Sequence, residues 1–305
     1  MIVLKFGGTS VGTAARIQQL VPLINNDSPK IIVLSAMSGT TNALVEIADY
    51  IRTKALVEAN NSIDQLRQKY HTVILELFNS SRYRQKGAQL LDKHFKILKD
   101  CCRLDLDEEH EKIVLAQGEL LSTNLLQLHL SERKITAVVL AALDFMRLNR
   151  QGEPDLDYIN HQLNQVIARY PSNQIFITQG FIARTAEGAV SNLGRGGSDY
   201  SASLIGAAIQ AKEIQIWTDI DGMHNNDPRY VEGTSALAKL SFVEAAELAY
   251  FGAKILHPLS IGPAKDKDIA VRLKNTLQPQ AKGTLIGKKI EGEGVKAIAA
   301  KDAIT

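Results

Sequence analysis

Positive charge set beside glycine is the main chemical feature of this chain. Near its start stands Lys5-Phe-Gly-Gly-Thr-Ser10. Gly7 and Gly8 let the backbone approach a ligand and turn N–H groups toward an anion. Lys5 adds a full charge, and a helix beginning just beyond would add a partial one. A richer segment follows at Gly194-Arg195-Gly-Gly-Ser198-Asp199, where three glycines surround a guanidinium and Ser and Asp are expected to cap a helix running through Ala211. Together these supply an anion-binding turn, a fork for a carboxylate or phosphate, and an acid at a helix start, more than a structural turn needs.

Other segments carry weaker signals. Ser35-Ala-Met-Ser-Gly-Thr-Thr41-Asn42 is a small, hydroxyl-rich loop that suits a carboxylate or phosphate, although ordinary helix capping would use the same residues. Gly118-Glu119 interrupts a helical pattern from Ile113 to Leu130. A glycine there costs about 1 kcal/mol relative to alanine, so a close neighbour is expected. Glu119 would then face a cationic group, and otherwise is a solvated surface carboxylate. Trp217-Thr218-Asp219-Ile-Asp221-Gly222, followed by Asp227-Pro-Arg229, offers polar groups for a sugar or phosphate. Lys254, in Gly252-Ala-Lys before His257-Pro258, reads as a dipole-matching lysine unless it meets Lys5 across a cleft. Neither a Walker A loop nor a G-x-G-x-x-G fingerprint is present. Gly8-Thr-Ser10-Val-Gly12 does match G-x-S-x-G, the nucleophile elbow of hydrolases. That motif needs an oxyanion N–H from the loop of an earlier strand, and no strand precedes this one.

Elements that could position these residues alternate along the chain. Short apolar runs at Ile2–Leu4, Ile31–Leu34, Ala137–Leu140, Ile175–Ile177, Ile214–Trp217 and Ala270–Leu273 read as strands, apolar on both faces and buried in a parallel sheet. Leu156, Ile159, Leu163, Val166 and Ile167 form one helical face, and Ser241-Phe-Val-Glu244 reads as a capping box opening a helix toward Lys254. The stretch from about Ala43 to Leu130 has helical patterns alone and is read as a helical insertion after the second strand. The fold class is therefore α/β, a three-layer α/β/α sandwich with a mainly parallel sheet. Such sheets bind ligands beyond the carboxyl ends of their strands. Glu291–Gly294 reads as a linker, and Val295–Ala300 as the start of a further strand.

Composition narrows the function. The chain has 305 residues, 45% hydrophobic and 22% charged, with a formal charge of only +2, so nucleic-acid binding through an overall basic field is not expected. Its 2 cysteines are adjacent, which excludes a disulfide framework and a zinc-ligand spacing. No signal peptide or membrane-length apolar run is found, and a cytoplasmic protein is expected.

Taken in order, these segments resemble the aspartokinase branch of the amino acid kinase family. The matching signatures are Lys5–Ser10, Ser35–Asn42, Gly118-Glu119, Gly194–Asp199, Trp217–Asp219, Asp227–Arg229 and Gly252–Pro258, colinear over nearly the whole chain. The resemblance implies the amino acid kinase fold (a carbamate kinase-like fold). Its catalytic domain would span 1–293, with an amino-acid-binding lobe to about 200 and a nucleotide-binding lobe from about 201 to 293. Residues 294–305 would begin a truncated regulatory ACT region, and feedback inhibition by lysine or threonine is not expected of this chain. It further implies ATP-dependent phosphorylation of the side-chain carboxylate of L-aspartate to 4-phospho-L-aspartate, the first step of lysine, threonine and methionine biosynthesis. By the same resemblance Lys5, Gly7, Gly8 and Ser10 serve phosphate and nucleotide, as do Thr218, Asp219, His224, Arg229 and Lys254. Thr41, Glu119, Arg195 and Ser198 hold aspartate, and Lys5, Asp199 and Lys254 form the catalytic centre. Mg²⁺ would be held mainly through ATP phosphates, with no protein metal cage, and the full-length form would be a homo-oligomer. One departure is His224, where the family often has tyrosine. A sibling kinase acting on acetylglutamate or glutamate, and a non-catalytic binding protein, are the alternatives.

Overall fold

A computed structural model describes residues 1–226, 230–251, 258–288 and 295–299, the side chains of Phe251, Pro258 and Leu259 excepted. The chain opens with β1 (Ile2–Phe6), α1 (Ala14–Ile24) and β2 (Lys30–Leu34). Four helices come next: α2 (Thr40–Arg52), α3 (Leu56–Leu77), α4 (Ser81–Cys101) and α5 (Glu108–Glu132). Then come β3 (Val138–Leu140), α6 (Leu156–Ala168), β4 (Ile175–Gln179), β5 (Ile182–Arg184), β6 (Val190–Asn192) and α7 (Gly197–Ala208). The remainder holds β7 (Ile214–Thr218), β8 (Lys239–Ser241), α8 (Phe242–Phe251), α9 (Gly262–Asp266), β9 (Val271–Asn275) and β10 (Thr284–Gly287).

Eight of the described strands form one sheet in the order β3-β4-β2-β1-β7-β9-β10-β8, while β5 and β6 form a separate antiparallel hairpin. From β3 to β9 all pairs are parallel, and β10 runs antiparallel to β9. Two cores flank the sheet. One gathers Leu4, Phe6, Ile32 and Leu34 with the apolar stripes of α1 to α5, and the other gathers Val3, Ile31, Val33, Ile214 and Leu273 with α6 and α7. The expected three layers and the helical insertion are both present.

The six expected strands all form, but not all as expected. In β2 and β4 every residue is buried, as an apolar run on both faces requires. β7 and β9 instead alternate: Gln215, Arg272 and Lys274 lie half-buried on the face opposite Ile216, Val271 and Leu273. β9 therefore has one polar face, whereas in β7 the face of Gln215 also carries Trp217, buried with Phe6 in the first core, so the reading as doubly apolar is corrected for β9 and, in β7, at Gln215 alone. The capping box at α8 forms, with Glu244 N–H donating to the Ser241 hydroxyl (3.1 Å) and Ser241 N–H to the Glu244 carboxylate (2.7 Å). α7 ends at Ala208 rather than Ala211, and its cap is Gly196 in the left-handed conformation (φ 71°), so Ser198 and Asp199 stand inside the first turn and do not cap it. Residues 295–299 form no strand; Lys296 pairs with Glu244 (2.8 Å), and Ile298 N–H donates to the Asn225 carbonyl (2.9 Å).

Candidate active site

Because β1, β2, β4 and β7 run parallel side by side, their following loops emerge together at one end of the sheet. Phe6 pairs in register with Leu34 of β2 and Trp217 of β7, so the Gly7-Gly8 turn lies between the loops after those two strands. This is where the chain order diverges from β1 to either side, the usual place for a ligand.

The glycine turn is made by close approach. A side chain on Gly8 would begin 3.0 Å from the Ala36 carbonyl oxygen, and one on Gly12 would begin 3.1 Å from the Ser38 Cβ. Ser38 N–H donates to the Gly8 carbonyl (3.1 Å), which locks the two loops together. Gly7 lies under the Lys5 ammonium, 3.4 Å from where its side chain would begin. Ser10 takes a different place from the expected one. It is 1% exposed, its hydroxyl 2.7 Å from the Thr276 hydroxyl and 3.4 Å from the Trp217 carbonyl oxygen. It ties the turn to the ends of β7 and β9 and is not offered to a ligand. That burial also removes the elbow reading, which needs an exposed serine nucleophile.

Lys5 and Asp199, far apart in the chain, meet with Nζ 2.7 Å from Oδ1. Both are largely buried, at 11% and 14% side-chain exposure. Among the described residues Oδ1 has no partner besides this ammonium. The turn carrying Asp199 is set against β4: a side chain on Gly180 would begin 2.6 Å from Ser198 Oγ. Ser198 therefore faces the end of β4, while Arg195 is exposed at the tip of the turn.

Glu119 is buried, not the solvated glutamate that a surface helix would carry. The glycine before it allows this, since a side chain on Gly118 would begin 2.6 Å from the Ala36 Cβ. The Ala36 N–H donates to Glu119 Oε1 (3.0 Å). Burial pushes the Glu119 carboxyl up to about 7, against the pull of that hydrogen bond and of the Lys5 charge. A buried carboxyl close to neutrality, with no cation in contact among the described residues, is suited to receive one. Thr41 is exposed in the first turn of α2.

On the other side, the Thr218 hydroxyl donates to Asp219 (3.0 Å) beyond β7. Both ring nitrogens of His224 are engaged, Nε2 with Asp221 Oδ1 (2.6 Å) and Nδ1 with the Thr234 hydroxyl (2.9 Å), so the ring braces its own loop. Arg229 and Lys254 lie outside the described residues. Sequence reasoning missed the polar support behind the site. Gln179 donates to the Thr123 hydroxyl (2.9 Å) and accepts from Ala142 N–H (2.8 Å), Thr123 donates to the Glu119 carbonyl (2.8 Å), and Ser122 to the Ser35 carbonyl (2.8 Å). A glutamine ending an otherwise apolar strand was the available signal for it.

Residues 1–275 match the model of the amino acid kinase family. The chain belongs to that family. It is 33% identical over 295 residues to lysine-sensitive aspartokinase 3 of Escherichia coli (strain K12), covering 95% of this chain and 65% of the relative. It is 32% identical to the aspartokinase of Chlamydia muridarum, covering 98% of this chain and 67% of that one. Among solved structures, E. coli aspartokinase III in complex with aspartate and ADP (R-state) superposes with a TM-score of 0.86 at 32% identity, over 96% of this chain and 65% of that one. Within the family the chain falls in the aspartokinase branch, and it spans about two thirds of the length of these relatives.

Proposed function

We propose that this amino acid kinase transfers the γ-phosphoryl group of ATP to the side-chain carboxylate of L-aspartate, giving 4-phospho-L-aspartate, the entry to lysine, threonine and methionine synthesis. The observation that carries this reading is the ion pair of Lys5 with Asp199 at the glycine turn, beside a buried Glu119 held by Ala36 of the neighbouring loop, in a chain whose relatives are aspartokinases. The solved E. coli relative holds aspartate and ADP, which supports both substrates.

In this reading the amino-acid lobe runs to about residue 200 and the nucleotide lobe from about 201 to 293. Glu119 and Arg195 bracket aspartate, the first pairing with its ammonium and the second forking onto its α-carboxylate. Thr41 and Ser198 add hydroxyls. The acceptor carboxylate ordinarily titrates near pH ~3.9 and is already ionised at neutral pH, so no general base is needed. The barrier is repulsion between that carboxylate and the triphosphate. Lys5 and the N–H groups of Gly7 and Gly8 offset it, acting most strongly on the charge that spreads over the transferring phosphoryl oxygens. Asp199 keeps the Lys5 ammonium aimed at that point. Thr218, Asp219, Arg229 and Lys254 serve the nucleotide.

Mg²⁺ fits this site as a passenger on the phosphates. Among the described residues no cluster of three acidic, histidine or cysteine side chains forms a cage, and Asp199 is already committed to Lys5. When bound, the ion would neutralise phosphate charge. No helix among the described residues is long and apolar enough to cross a membrane.

The test is ATP turnover with L-aspartate, the acyl phosphate trapped with hydroxylamine. Turnover with acetylglutamate and none with aspartate would move the substrate to the sibling class, against the buried Glu119, which needs a free ammonium. Arg195→Ala is expected to raise the aspartate KM about 10- to 100-fold with a smaller change in kcat, since charged hydrogen bonds contribute about 1.5–3 kcal/mol.

A further inference from the structure

The loop after β2 is tied down at nearly every residue. Ser35 N–H donates to the Phe6 carbonyl (3.2 Å), and Ala36 N–H to Glu119. Ser38 N–H donates to the Gly8 carbonyl (3.1 Å). Two further ties come from α3, the second helix of the insertion. The Lys69 ammonium donates to the Ser38 carbonyl, and the Tyr70 hydroxyl lies 3.0 Å from the Thr40 hydroxyl. Tyr70 and Thr40 are both fully buried. What remains exposed is Ser38, Gly39, Thr41 and Asn42, the open lip of the loop.

A lysine is a costly choice for this tie. Among the described residues no carboxylate stands within ion-pair distance of it, and burial pushes its ammonium below the usual lysine range. Its Nζ lies 3.6 Å from where a side chain on Gly39 would begin, and Gly39 caps the N-terminus of α2, itself a positive end. A neutral donor would hold the Ser38 carbonyl without gathering like charges. A charge retained there is useful if an anion arrives at the lip.

We propose that Lys69 is a positioning residue for aspartate: from the helical insertion it holds the Ser38–Thr41 loop and adds positive charge where the carboxylates of the substrate enter. The proposal rests on the aspartate reading above and extends it to a residue outside the sheet loops. Tyr70 holds the neighbouring Thr40 in the same way without charge. The insertion, which already carries Glu119 on α5, thereby contributes a second side chain to substrate recognition.

The experiment is steady-state kinetics of the whole chain and its Lys69→Met and Lys69→Arg variants, with hydrogen exchange of the 38–42 amides. Lys69→Met is expected to raise the aspartate KM about tenfold, leave kcat within about twofold and leave the ATP KM unchanged. Lys69→Arg should recover most of the loss, because it keeps the charge and a donor. The 38–42 amides should exchange faster in Lys69→Met. An unchanged aspartate KM, an equal rise in the ATP KM, an arginine variant no better than methionine, or unaltered exchange would each overturn the inference. If the unsubstituted chain neither binds nor phosphorylates aspartate, the functional reading falls with it. If that chain is active and Lys69→Met matches it, the inference alone falls.

Discussion

The two halves of the sheet are built differently. In β3-β4-β2-β1 the central strands are buried on both faces, with helices of the insertion on one side and α6 and α7 on the other. In β7-β9-β10-β8 one face packs Ile214, Ile216, Val271, Leu273, Leu240 and Ile286 into the second core. On the other face of β9, Arg272 pairs with Glu213 (2.9 Å) and Lys274 sits over the ring of Trp217 at 4.9 Å, Trp217 itself being buried in the first core. Loops leaving the doubly covered half are held from every side, as the Ser35–Thr40 loop shows. The other half carries the loop in which His224 is braced by Asp221 and Thr234. The contrast teaches that a strand covered by helices on both faces has loops fastened by several neighbours, while a strand with polar side chains on one face leaves more of the bracing to its own loop.

Lys5 stands on the seam, its Cα paired with Val33 on one side and Ile216 on the other. Lys5→Ala is the largest break: kcat should fall about 10³-fold, on the order of 4 kcal/mol of transition-state stabilisation, with little change in the aspartate KM. An exchanged pattern, KM rising and kcat preserved, would show that Lys5 binds aspartate instead. In the doubly covered half, Ile32→Ala should cost about 3 kcal/mol or more in denaturant unfolding, because a fully buried side chain leaves a cavity between two sealed layers.

Glu119 gives a pH test of the same half. Its folded pKa of about 7 is above the unfolded value, so the folded state binds more protons between the two. Stability from this group is then present at low pH and is lost as pH rises through about 7. Glu119→Gln should therefore be the more stable protein at pH 8, by about 2–3 kcal/mol, and no different at pH 4. The aspartate KM should in turn rise as pH falls below about 7, since pairing with an ammonium needs the ionised carboxylate. A KM flat from pH 6 to 8 would remove Glu119 from that role. The smallest effect belongs to the polar face: Lys274→Ala should cost about 1 kcal/mol or less, the worth of one partly exposed cation–π contact. A loss as large as that of Ile32→Ala would end the distinction between the halves.

Much of the fold was legible as periodicity. Ile31–Leu34 and Ile175–Ile177 are unbroken apolar runs, and they are the doubly buried strands. Val271-Arg-Leu-Lys274 alternates, and reading Ala270–Leu273 as a run overlooked its polar face, while in Ile214–Trp217 Gln215 alone is half-buried. The short strands β5, β6, β8 and β10 went unseen because three or four residues carry too little pattern and β10 is placed by its neighbours. At the site, glycine beside charge pointed to Lys5, Glu119, Arg195 and Asp199. Gln179 was marked only as a glutamine ending an apolar strand, and Lys69 not at all, since nothing local in a helix says which loop a side chain will face.

The sequence by itself determined the alternation of strands and helices, the all-helical insertion and the glycine turns, because each follows from local backbone freedom and the spacing of apolar residues. Only the tertiary structure decided that Ser10 is buried, that Glu119 sits at the edge of ionisation, and that Lys5 meets Asp199. Those properties depend on desolvation and on distances between residues far apart in the chain, and neither is set until the layers close.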